Sequence, residues 1–252
     1  MRKIVIAAVI STLIVATIGL SSLGNAWVVG TFWKWEGTSV QSPSVTSATT
    51  IYVLTSTTVL DAQVFVLGQV NQIEDRTFVT LGEAMREPNY PVQAFDVAFQ
   101  LNTEWRLNPP GWESEESSTW PSGSNVGSRT VIRKVETNEA SVSVPAGEYA
   151  HCSKLTVSEH VAHPETVFER DETIWYCHDI DWPVKIIYKG TFQGKTYTSS
   201  TVLIQTGRID PSDAAAQILA AIDKMEVQQG VPAPAVSTVR WKLLSLGLLK
   251  QP

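Results

Sequence analysis

Two short stretches decide the fold: Val-Pro-Ala-Gly-Glu-Tyr-Ala-His-Cys over residues 144–152 and Thr-Ile-Trp-Tyr-Cys-His over residues 173–178. They hold the only two cysteines, Cys152 and Cys177, and all four histidines lie between His151 and His178. One stretch carries His-Cys and the other Cys-His. Neighbouring side chains of a strand point to opposite faces. If the two segments pair antiparallel with the cysteines opposite each other, the sulfurs share one face and His151 and His178 share the other.

Working outward, the pattern stays that of an antiparallel β-protein. Upstream, Arg129–Glu136 and Ala140–Val144 read as strands, and Pro145-Ala146-Gly147 supplies turn residues. Glu148–Val157 and Val167–His178 are the cysteine-bearing strands, with Glu159–Thr166 as an exposed return. Val184–Phe192 and Lys195–Gln205 form a hairpin over Gln193-Gly194, a two-residue loop with glycine where φ must be positive. Earlier strands are expected at Phe32–Trp35, Thr49–Leu60, Ala62–Val70, Thr77–Leu81 and Val92–Leu101, dense in Val, Ile, Thr and aromatics.

Asn102–Ser128 breaks the pattern. It holds Trp105, Trp112 and Trp120, three prolines and Glu113, Glu115 and Glu116, and reads as a long aromatic loop. Near the C-terminus one helix is clear. Asp210 is a good N-cap, Pro211 suits N1, and Gly230 is a stop. Its apolar positions, Ala215, Ile218, Leu219, Ile222 and Met225, fall on one face. Val231-Pro-Ala-Pro-Ala reads as a stiff linker, and Val239–Leu249 as an apolar tail. The expected organisation is therefore a hydrophobic N-terminal segment over residues 1–26, an antiparallel β domain over 27–207, a docked helix over 208–230, and a linker with tail over 231–252.

The N-terminus sets the compartment. Arg2 and Lys3 precede an apolar run from Ile4 to Leu20, and Gly24-Asn25-Ala26 offers a cleavage site before Trp27. The run suits a cleaved signal peptide or an uncleaved anchor. Both place the rest outside the cytoplasm, secreted or membrane-anchored. Removing residues 1–26 takes the formal net charge from −6 to −8. An acidic chain without a basic stripe argues against nucleic acid as a partner.

In an exported chain the cysteine pair reads as a disulfide, Cys152–Cys177. A metal site on His151, Cys152, Cys177 and His178 is the minor alternative, opposed by the alternation of strand side chains. His160 and His163 read as part of a solvated turn, and the pairs Glu169/Asp171 and Asp179/Asp181 as surface charge. No Gly-x-Ser-x-Gly, P-loop, His-Glu-x-x-His or dinucleotide fingerprint is present. No catalytic residue, cofactor or metal is assigned.

Residues 144–155, then Thr173–Cys177 and Trp182-Pro-Val-Lys-Ile186, resemble a pattern of secreted β-rich domains. In it, a valine-proline-alanine-glycine turn leads into one strand, and a threonine-x-tryptophan-tyrosine strand precedes a valine-lysine strand. Such domains resemble the half-barrel of the lipoprotein-carrier superfamily, an antiparallel curved sheet with a helix. The resemblance covers about residues 120–206 and departs at the bend, where Asp179-Ile-Asp-Trp replaces a small glycine-containing turn. It implies a mainly β fold, a curved sheet, half-barrel or sandwich with one C-terminal helix, and by analogy an apolar or lipidic ligand.

The expected function is that of a non-enzymatic cell-envelope protein binding an apolar or lipidic ligand on the concave face of its sheet. Trp33, Trp35, Trp105, Trp112 and Trp120 are the candidates to line or cover that ligand. A structural or assembly protein, meeting a membrane or envelope partner through its N-terminal segment or C-terminal tail, is the second reading, and a hydrolase the third.

Overall fold

A computed structural model describes residues 27–40, 46–59, 61–86, 93–95, 108–122, 125–163 and 166–249. The hydrophobic N-terminal segment and Trp105 lie outside them. Eleven strands form one curved antiparallel sheet. They are β1 (Thr31–Ser39), β2 (Thr46–Val59), β3 (Ala62–Ile73), β4 (Arg76–Arg86), β5 (Gln93–Phe95), β6 (Glu113–Ser122), β7 (Asn125–Val144), β8 (Gly147–His163), β9 (Thr166–Cys177), β10 (Trp182–Phe192) and β11 (Lys195–Arg208). The spatial order is β5-β4-β3-β2-β1-β11-β10-β9-β8-β7-β6. Two hairpin meanders therefore run outward from the central β1–β11 pair. Two helices follow, α1 (Pro211–Gln229) and α2 (Ala233–Ser245).

The pairing inferred from the cysteine stretches is the one observed. Cys152 stands opposite Cys177, and their sulfurs are bonded. The β10–β11 hairpin turns on Gln193 and Gly194, both with positive φ, the conformation a type I′ turn requires.

Alternation in β1 divides the core. Trp33 and Trp35 point to one face, with Ile51 and Val53 of β2 and Phe65 and Leu67 of β3. Phe32 points to the other, with Tyr52 and Leu54, where α1 docks through Ala214, Ala215, Ile218 and Ile222. Trp27, just before β1, packs in the first cluster against Trp33, Phe65 and Trp182. The Trp182 ring in turn stacks on Trp33 at 5.5 Å. That cluster is closed by the β7–β8 hairpin. Register shifts in β7 at Val135/Thr137 and Thr137/Ala140 and a positive φ at His151 mark bulges, which bend and twist strands. The tip reaches β11, where the Ala146 amide donates to the Leu203 carbonyl at 3.2 Å.

Four expectations need correction. Within the described residues, the aromatic loop is the hairpin β6–β7, its charged and Ser-rich sequence suiting an edge strand that must not recruit another chain. Arg129–Glu136 and Ala140–Val144 are one 20-residue strand, because bulges absorb the irregular stretch between them. Most of the expected exposed return is strand, since β8 runs on to His163 and β9 begins at Thr166. The Pro-Ala linker is the start of α2, where Pro232 caps and proline at the first turn costs no hydrogen bond.

Candidate functional site

The described tryptophans do not converge on a ligand surface. Trp33 and Trp35 are each 1% exposed and belong to the core; the Trp35 indole N–H donates to the Pro183 carbonyl at 3.1 Å. Trp112 packs half-buried on the edge of the same cluster. Trp120 sits on edge strand β6 over Gly127 of β7, a position only glycine leaves open for its ring. The alternation that marks a strand with one aromatic face is the same whether that face meets a ligand or a core.

The two histidines of the symmetric stretches also part. His151, at the β8 bulge, lies 2.6 Å through Nδ1 from Glu139 Oε2 on the surface. His178 follows β9, and its Nε2 lies 3.0 Å from Ser153 Oγ. Ser153 is fully buried and donates to Asn138 Oδ1 at 2.9 Å, so its hydroxyl accepts from His178. A serine so placed presents no nucleophile to solvent. Asp179 is exposed whereas Asp181 is buried, with its carboxylate accepting from the Tyr176 hydroxyl and its carbonyl from the Trp27 indole. Glu169 and Asp171 do share a face, beside His160 and Ser158 in a shallow depression of about 290 Å³. Among the described residues no three His, Cys, Asp or Glu side chains are grouped to hold a metal.

A groove of about 540 Å³ lies between α1 and the sheet, within the range of small-molecule sites. Phe32 and Tyr52 form its floor with Val70 and Ile209, and Ala220 and Ala221 of α1 form the near wall. Gln72, Gln205 and Gln217 line it as well, as do Lys34 of β1 and Lys224 of α1. The Tyr52 hydroxyl donates to Gln217 Oε1 at 2.7 Å, tying floor to helix. Burial holds the Tyr52 phenol above its ordinary range, against a smaller lowering by the Thr50 hydroxyl. It is therefore a neutral hydrogen-bonding group at physiological pH.

The groove exists because of how α1 is set. Asp210 accepts from the Ser212 amide at 2.8 Å, Pro211 opens the helix and Gly230 ends it with φ +65. Gly68 of β3 lets Ile218 settle against the strand, since a Cβ there would meet the Ile218 side chain. The helix packs on β4, β2 and β3 and leaves a gap toward Phe32 and Lys34 of β1. Sequence gave the helix; the gap depends on this docking, which composition does not encode. The C-terminal tail is α2, with Val236 and Leu243 buried in the α1-side cluster, so its apolar face is used within the chain. No described helix is long and apolar enough to cross a membrane.

No protein-family model matches the chain, and no curated protein matches it. Three solved structures are similar in fold. A candidate lipoprotein from Parabacteroides distasonis is 15% identical, with 71% of this chain and 96% of that one aligned at a TM-score of 0.47. An exported-protein candidate with YmcC-like fold from Bacteroides fragilis is 14% identical, with 72% and 97% aligned at 0.46. The hypothetical lipoprotein YmcC from Escherichia coli is 6% identical, with 71% and 86% aligned at 0.33.

Proposed function

We propose that this is an exported, non-enzymatic protein of the cell envelope that binds an anionic amphiphile in the groove between α1 and the sheet. The groove itself carries the reading. It combines apolar residues with two lysines and three glutamines, which suits an acyl or similarly apolar body with one acidic head. Export is supported by the basic, then apolar, N-terminal sequence and by the Cys152–Cys177 bridge, a bond that persists in oxidising compartments. On this reading the ligand lies beside α1 rather than on the tryptophans.

The test uses the purified full chain and 11-(dansylamino)undecanoate, a fluorescent anionic amphiphile. Saturable uptake is expected, with affinity reduced at least about ten-fold, roughly 1.4 kcal/mol, by Ala220→Trp, which fills the groove from an exposed position. The double change Lys34→Glu and Lys224→Glu should weaken the acid while leaving an uncharged ester of the probe less affected. Uptake unchanged by Ala220→Trp, or no uptake at all, overturns the reading.

A further inference from the structure

Trp27, which opens the described chain, is already part of the core. It is 2% exposed. Its ring centre lies 4.7 Å from that of Trp182 on β10, 4.9 Å from that of Trp33 on β1 and 5.3 Å from that of Phe65 on β3. Its indole N–H donates to the Asp181 carbonyl at 3.2 Å. The backbone behind it is tied at once: the Thr31 amide donates to the Val28 carbonyl and the Gly30 amide to the Val53 carbonyl, each at 2.8 Å. Phe65, Asp181 and Trp182 are remote from Trp27 in sequence, so its seat exists only once β3 and β10 have joined β1.

The same residue follows the cleavage motif in the sequence. Gly24 and Ala26 are the small residues of that motif, which makes Trp27 the first residue beyond the bond to be cut. A protease holds the residues on both sides of its target bond extended in a cleft, so a folded segment must open before it is cut. Trp27 cannot lie in such a cleft and in the aromatic core at once.

We infer that the fold guards its own processing site: the Ala26–Trp27 bond is open to a signal peptidase only until Trp27 is seated. Hydrolysis there adds water across one peptide bond, leaving a carboxylate on Ala26 and an ammonium on Trp27. A chain cut during export is released without residues 1–26, whereas a chain that folds first keeps its apolar segment and stays at the membrane. One sequence thus gives a secreted and an anchored form, and the rate of seating Trp27 sets their ratio. The inference rests on the export reading and is independent of the groove.

The experiment compares the folded full chain in detergent micelles with a peptide of residues 1–32, each incubated with a purified membrane signal peptidase and followed by intact mass. The peptide should be cut before Trp27. The folded chain should be cut at least about ten-fold more slowly, since its rate follows the fraction of chains with Trp27 displaced. Phe65→Leu thins the seat without touching the cleavage motif, and should raise the rate for the folded chain several-fold with an unchanged circular-dichroism spectrum. A second variant leaves the core intact: a Trp-Gly-Ser-Gly insertion between Ala26 and Trp27 keeps a tryptophan after the bond and moves the bond off the seat. It should be cut at the rate of the peptide. Lys195→Gln, at an exposed hairpin tip, should be as resistant as the parent. Failure to cut the peptide overturns the cleavage site itself. Equal rates for the peptide and the folded parent, or an insertion variant as resistant as the parent, overturn the guarding role.

Discussion

At the scale of single residues, Trp27, just before β1, carries much of the aromatic core. It is 2% exposed, its ring centre lies within 4.7–5.3 Å of those of Trp182, Trp33 and Phe65, and its indole N–H meets the Asp181 carbonyl at 3.2 Å. Trp27→Ala would leave a large void and an unpaired buried carbonyl. Urea unfolding should show a loss of about 3–5 kcal/mol; a loss below about 1 kcal/mol would mean the site collapses freely. Glu172 makes a different prediction. Burial raises its carboxyl above the ordinary glutamate range, opposed by Arg170 and aided by the nearby Glu159. The folded chain thus holds this proton more tightly than the unfolded chain. Glu172 contributes stability at pH below the ordinary glutamate value, and that contribution is lost as pH rises through the folded value. Glu172→Gln should flatten this part of the pH–stability curve measured by thermal melts; an unchanged slope would mean that other groups set it.

At the scale of elements, two glycines test how the sheet and α1 are joined. Gly30 has φ +90, and a Cβ there would lie 2.5 Å from the Ile209 carbonyl oxygen, a backbone atom that cannot swing aside. Its amide also donates to Val53 and its carbonyl accepts from Ile209, linking β1, β2 and the entry to α1. At Gly68 the obstacle is the end of the Ile218 side chain, which can rotate. Gly68→Ala should therefore cost about 1–3 kcal/mol, the usual range for overpacking, and Gly30→Ala more; the reverse order in chemical unfolding would show that α1 docking is the more rigid joint. The elements also show what could be read from sequence. Helix α1 announced itself through Asp210, Pro211 and Gly230, because caps are local chemistry. Strand β6 did not, since Glu-Ser-Glu-Glu-Ser-Ser has poor strand propensity and is held by its partner β7. Helix α2 was hidden because proline marks a linker and a first helical turn alike.

At the scale of the molecule, the disulfide register was legible because a strand pair has only two faces, while the groove was not, because it depends on where one helix rests on a finished sheet. The bridge lies below the β7–β8 tip, which reaches over to β11. Beyond Cys152 the β8 chain bulges at His151 and carries the β7–β8 tip to Leu203 of β11; beyond Cys177 the chain turns through Asp181 into Trp182 and the aromatic core. The bond thus ties the folded-over tip to the strand that enters the core. Closing a segment with a sequence separation of 25 contributes about 3 kcal/mol in the chain-entropy model. Cys152→Ala/Cys177→Ala should show a loss of that order, with amide protection falling first at Ala146. Both sulfurs are fully buried, so a reductant can reach them only through an opening of the surrounding strands. Reduction of the native chain should therefore track that opening, slow in buffer and accelerating with sublethal urea, as thiol labelling would record. Fast reduction in buffer, with the fold otherwise intact, would mean that the β7–β8 tip opens independently of the aromatic core it covers.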